Sequence, residues 1–159
     1  SDLVRPLFLK DRNQGALVGS WGAMKLEWLM IADAAEVWAN KLYLMGGGWD
    51  KITVRTDFPV AQHLAVAVSI LLEPEELGQA HEFVLDVQSP ERKWLASREA
   101  DFEVGVSEGF SAEVPQRWQF ASSMDLSLDI PGAYAIVVFL NGNEVGRQRF
   151  EVVQVLSQD

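Results

Sequence analysis

The chain has 159 residues, 48% of them hydrophobic and 23% charged, with a formal net charge of −10. That length suits one domain with a real core, the composition is that of a globular protein, and so acidic a surface repels phosphate backbones and anionic lipid, so neither nucleic acid nor a membrane is an expected partner. With no cysteine, disulfides, thiolate metal sites and cysteine nucleophiles drop out together, and a cytoplasmic location is the expectation.

The first residues, SDLVRPLFLKDRNQG, hold an apolar run too short and too interrupted by charge for a secretory signal. Met24, directly before KLEWLMIAD, reads as a natural start. On that reading 1–23 is an N-terminal extension or expression remnant and 24–159 is a single domain. No run approaches the roughly eighteen apolar residues of a membrane span.

From residue 25 onward period-two alternation dominates. Strands are expected at 25–32, with Leu26, Trp28 and Met30 on one face, and at 41–46 and 50–55. The segment 33–39, DAAEVWA, reads as a helical turn. In LAVAVSILL, Leu64, Val66, Val68, Ile70 and Leu72 alternate with Ala65, Ala67 and Ser69. Both faces are apolar, so this strand belongs at the centre of its sheet. HEFVLDVQ points Phe83, Leu85 and Val87 inward, and further strands are expected at 101–107, 116–121, 124–130, 134–140 and 145–155. Prolines 59, 74, 90, 115 and 131 fall between these runs. Asn141-Gly142 supplies the positive φ of a tight hairpin, and Asp129, Gly132 and Tyr134 have the spacing of a tyrosine corner. The expected fold is all-β: an antiparallel, immunoglobulin-like Greek-key sandwich of eight or nine strands.

Candidate chemistry is sparse. A phosphate loop needs a helix after the glycines and a Lys-Ser/Thr. Gly46-Gly47-Gly48 is followed instead by the strand-like Trp49-Asp50-Lys51-Ile52-Thr53-Val54, so it reads as a bend, with Trp49 capping an edge of the core. His63 and His81 suit zinc or acid–base work only if folding joins them to a carboxylate. Gly19-Ser20-Trp21-Gly22 lacks the strand of a nucleophile elbow. Asp33, Asp50 and Asp57 lie at strand ends, where loop oxygens hold calcium, and nothing selects a glycosidase pair among the carboxylates. Arg92, Lys93, Arg98 and Arg147, Arg149 read as small solvated clusters. Of six tryptophans, Trp38, Trp49, Trp94 and Trp118 flank turns, where they serve either as covers of the sandwich ends or as contact platforms. Trp118 and Phe120 share a face and read as core.

Three blocks, Ala32–Val37, Gly46–Asp50 and Pro131–Tyr134 with Asn141-Gly142, together resemble a bacterial domain family of unknown function found in actinobacteria and relatives. The resemblance spans roughly 25–155, with Ala39-Asn40 a mild departure. It implies a small β-rich fold and brings no activity with it. The functional expectation is a non-enzymatic binding or assembly module that contacts another protein. The alternative is a carbohydrate or calcium module, and a hydrolase ranks below both. Gly47, Gly48, Trp49 and Asp50 are the candidate contact residues, with no cofactor or metal expected.

Overall fold

A computed structural model describes residues 24–156; the expectation for 1–23 concerns residues outside that range. The described chain is all-β, with strands β1 (Lys25–Trp38), β2 (Lys41–Gly47), β3 (Lys51–Val54), β4 (Val60–Leu72), β5 (His81–Gln88), β6 (Trp94–Phe102), β7 (Gln116–Leu128), β8 (Gly132–Leu140) and β9 (Asn143–Gln154). A single 3-10 turn, Pro74–Glu76, joins β4 to β5. Among the described residues no helix is long and apolar enough to cross a membrane.

The strands form two sheets, ordered β2-β1-β4-β7 and β3-β9-β8-β5-β6. The first is antiparallel throughout. The second departs from the antiparallel expectation at one edge, where β3 runs parallel to the final strand, Lys51↔Glu151 through Val54↔Gln154. Between the sheets lies the core. Leu64, Val66, Val68, Ile70 and Leu72 from β4 and Met124, Leu126 and Leu128 from β7 face Phe83, Leu85 and Val87 from β5 and Tyr134, Ile136 and Val138 from β8. Burying one such side chain stabilises by about 1.5–3 kcal/mol, so these rows set the sandwich. Trp118 stacks on Phe102 at 4.0 Å and 8°, in line with its expected core role.

The tyrosine corner is present. Tyr134 donates its hydroxyl proton to the Ile130 carbonyl at 2.6 Å, and its ring stacks on Phe150. Asn141 and Gly142 both have positive φ and turn β8 into β9. The Asn141 side chain also accepts the Glu82 N–H at 2.9 Å, which ties that turn to the start of β5.

Four expectations are corrected. The segment 33–39 is not a helical turn: β1 runs on to Trp38 and pairs with β2 from Ala32↔Gly47 to Trp38↔Lys41. Cross-strand partners override the weak helical preference of its alanines. The expected strand at 101–107 ends at Phe102, and β6 lies earlier, at Trp94–Phe102. Its inward row, Ala96, Arg98, Ala100 and Phe102, is too small and too charged to show a hydrophobic period. The expected strands 116–121 and 124–130 are one strand, paired with β4 from Leu72↔Gln116 to Val60↔Leu128. Finally, Trp28 does not share a face with Leu26. A β-bulge sets Glu27 and Trp28 opposite Ser69, so Leu26, Leu29 and Ile31 face the core while Glu27 and Trp28 turn outward.

The β1–β2 connection carries a backbone cost. Ala39 (φ 51°) and Asn40 (φ 62°) form a two-residue hairpin turn with both residues left-handed. Asparagine tolerates this conformation; alanine loses about 1–2 kcal/mol in it. Ala39→Gly is expected to raise stability by about 0.5–1 kcal/mol once the greater freedom of the unfolded glycine chain is offset, measured as the urea unfolding midpoint at unchanged slope.

Candidate interaction surface

The β1–β2 hairpin does not extend the sheet outward. Pairing of β1 with β4 stops at Ala32↔Ala65, and beyond it the hairpin doubles back. Gln119 on β7 donates its side-chain amide proton to the carbonyl of Asn40 at the hairpin tip, at 3.2 Å. Gln119 lies opposite Ser69 and Ser69 opposite Trp28, so the tip returns to the level where β1 began. The hairpin therefore lies over the outer face of its own sheet. Ala65, Ala67 and Ser69 on that face are fully buried.

Alternation divides the hairpin into two faces. Ala35, Val37, Leu42 and Leu44 are half-buried and face the sheet. The opposite row holds Ala34, Glu36 and Trp38, directly across from Met45, Tyr43 and Lys41. There Trp38 is 68%, Met45 72% and Tyr43 52% exposed. Three large apolar side chains thus stand on one surface, whereas the outer face of the other sheet is more nearly covered, with Trp94 and Val153 still 46% and 44% exposed. On that sheet Ala135, Val137 and Phe139 are buried, with Trp94 edge-on to Phe139. Arg147 lies beside them, bonded to Glu144 and to Gln88.

The predicted residues Gly47, Gly48, Trp49 and Asp50 form the root of this hairpin, where the chain leaves β2 for the second sheet. Gly47 closes β2 opposite Ala32, and the Gly48 N–H donates to the Ile31 carbonyl at 2.8 Å. Trp49 packs half-buried against the core and donates its indole N–H to Asp33 at 3.1 Å. The Asp50 carbonyl accepts the Glu151 N–H at 2.8 Å, and its carboxylate pairs with Lys51. Gly46 has φ 61°, and a Cβ there would collide with the Asp33 carboxylate. The glycines are a bend, and Asp33 and Trp49 pin it.

Other candidates stay apart. His63 pairs with Asp125 across β4 and β7 at 2.9 Å, on an exposed face. Buried His81 bonds the Glu76 carbonyl at 2.8 Å and the Asn141 side chain at 3.2 Å. Among the described residues no three His, Asp or Glu side chains gather as a metal site, and Asp33, Asp50 and Asp57 do not converge. A cleft of about 530 Å³ runs between the hairpin tip and the 103–115 loop, lined by Asn40, Phe110, Gln116 and Trp118 among others. The Gln116 side chain is already engaged there, bonded to Ser107 and to the Val114 carbonyl.

The start of β1, at the level of the hairpin tip, carries a charge lock that sequence reading missed. Arg117 donates through Nε and Nη2 to the two oxygens of Glu27 at 2.6 and 2.7 Å, and the Ser69 hydroxyl donates to the same carboxylate at 2.6 Å. Glu27 and Arg117 lie ninety positions apart, so no spacing signal joins them.

Comparison with known proteins adds a family. The model for a family of unknown function (DUF6941) matches residues 27–153, and the chain belongs to that family. No curated protein sequence matches it. Among solved structures it is similar to the alkylpurine DNA glycosylase AlkC of Pseudomonas fluorescens bound to DNA containing an abasic-site analogue. That match has 12% identity and a TM-score of 0.48, and covers 92% of this chain and 35% of the glycosylase. It is also similar to a β-glucosidase of Listeria innocua in complex with isofagomine, at 10% identity and a TM-score of 0.46, over 86% of this chain and 17% of the enzyme. The chain thus spans about a third of the first protein and about a sixth of the second.

Two outcomes test this geometry. Gly46→Ala forces a side chain into left-handed backbone against Asp33 and is expected to destabilise by more than about 1 kcal/mol, read from chemical denaturation. The two bonds from Arg117, then the Ser69 hydroxyl, hold the Glu27 carboxyl at about 2, against an ordinary 4.5. Its folded-state preference for ionisation therefore supports stability fully above pH 4.5 and is lost as pH falls through about 2. Glu27→Gln should lower stability at neutral pH and flatten the dependence of the unfolding midpoint on pH within that window.

Proposed function

We propose that this domain is a non-enzymatic, immunoglobulin-like assembly module that contacts another protein through the exposed face of the β1–β2 hairpin. The observation that carries the reading is the coplanar row Trp38, Tyr43 and Met45, held clear of the core on a rigidly rooted hairpin. Aromatic and methionine side chains concentrated on one face are what protein interfaces enrich and what solvent-facing strands otherwise avoid. Support for the immunoglobulin-like assignment comes from the sheet orders, from the parallel pairing of an early strand with the last one, and from the Tyr134 corner. The exposed atoms of Gly47, Gly48 and Asp50 border the same hairpin and belong to its margin.

A photo-crosslinking amino acid at position 43, compared with one at Glu99 on the far edge strand β6, tests this reading in the native cells. Discrete protein adducts at position 43, absent at position 99 and lost with Trp38→Ser, are the expected result. An adduct pattern identical at the two positions, or none at 43, overturns the assignment.

A further inference from the structure

A sandwich presents four strand edges to solvent, and open edges invite pairing unless they are blocked. Three of the four here are blocked. On β7, Arg98 reaches across from β6 to donate to the Ser122 hydroxyl at 3.1 Å and to the Ser123 carbonyl at 3.2 Å, which occupies one backbone acceptor near the middle of the strand and sets a charged side chain there. β6 itself carries exposed Glu99 and Asp101 in its later half, beyond the exposed apolar pair Trp94 and Leu95. β3 is only four residues long and begins at a lysine. β2 differs from all three: KLYLMGG is seven residues with one charge, at its first position, and it has no proline. Its exposed row, Tyr43 and Met45, is apolar.

The charge around β2 is also polarised. Lys41 opens the strand, the segment Leu42–Gly47 has none, and acidic groups sit at the other end. Asp33 lies against Gly46, and Asp50, paired with Lys51, follows the glycine bend, so that end keeps a net negative charge. A strand that is basic at its start and acidic at its finish complements itself only when reversed. Antiparallel pairing brings each Lys41 to the partner strand's acidic end. Parallel pairing sets like charge against like. Antiparallel pairing of identical strands is also what a closed two-fold dimer requires. For a chain of net charge −10, a nearly charge-free strand is the place where two copies approach with least repulsion.

We infer that the protein contacted through this hairpin is a second copy of the chain, joined by antiparallel pairing of the two β2 edges about a two-fold axis. The inference rests on the hairpin's being a protein-contact surface. The joined hairpins would make a four-stranded layer, with Tyr43 and Met45 of both copies on its outer surface and Trp38 flanking them.

The test uses the full chain. Sedimentation equilibrium should give twice the monomer mass, and Lys41→Glu should weaken the dimer by at least about tenfold, as should Tyr43→Ser combined with Met45→Ser. Because the chain has no cysteine, single cysteines placed in turn at positions 42 to 45 give a clean scan. An antiparallel two-fold pairing predicts a sharp maximum of disulfide-linked dimer at the residue nearest the axis and a decline on both sides. Circular dichroism and the unfolding midpoint of each variant separate lost pairing from lost folding. A monomer at every soluble concentration overturns the inference, as does a dimer whose cysteine scan is flat or that ignores both substitutions. A monomer that still gives adducts of a different protein at position 43 overturns the second-copy partner while leaving the contact surface standing. The absence of any adduct at 43 removes both.

Discussion

The structure depends on burying both faces of β4. Its inner row, Leu64, Val66, Val68, Ile70 and Leu72, meets the second sheet, and its outer row, Ala65, Ala67 and Ser69, is as completely shielded from water. The outer residues are small because backbone from the folded-back hairpin and the side chains of β1 must come close above them. A strand covered on one side only would leave its backbone hydrogen bonds at the surface. Covered on both, with β1 and β7 paired along its flanks, it becomes the rigid element from which the rest is placed.

From this constraint follows the odd path of β1. The strand first serves as an ordinary neighbour of β4, then leaves it after Ala32 and returns overhead as one arm of a hairpin. Each end of the arm has its own fastening. At the root, Gly48 donates to Ile31 and Trp49 to Asp33. At the tip, Gln119 holds the Asn40 carbonyl. The bulge at Glu27 turns that side chain outward to meet Arg117 and Ser69, which secures the start of β1 on the same face. A hairpin fastened in this way uses one face for burial and has the other to spare. The spare face is where the large apolar side chains stand.

The two sheets treat their outer surfaces differently. On the second sheet the apolar residues Ala135, Val137 and Phe139 are buried, with the stem of Arg147, held by Glu144, beside them, as long amphipathic side chains do. On the hairpin nothing comparable covers Trp38 or Met45. The second sheet covers most of its outer apolar residues with its own side chains, Trp94 and Val153 apart, whereas the hairpin presents three large ones together, and this difference motivates the functional reading.

Much of the architecture was legible in the residues. Strict alternation in HEFVLDVQ and MDLSLDI marks strands because side-chain direction has a period of two. The apolar-on-both-faces run at 64–72 marks a central strand. Asn141-Gly142 and the spacing to Tyr134 mark a hairpin and a corner because few residues tolerate those conformations or make that hydrogen bond. The glycine run was readable as a bend for the same reason. Local pattern failed where tertiary partners outweigh local preference. The alanine-rich 33–38 becomes strand only because β2 lies beside it. Trp28 faces outward because one bulged residue reverses the alternation. The inward row of β6 is built of alanines and an arginine that plugs a neighbouring edge, so it carries no hydrophobic period. The proposed contact surface was decided only by folding. Trp38, Tyr43 and Met45 share a face through cross-strand register, and they are exposed because the other side of the hairpin is spent on covering β4.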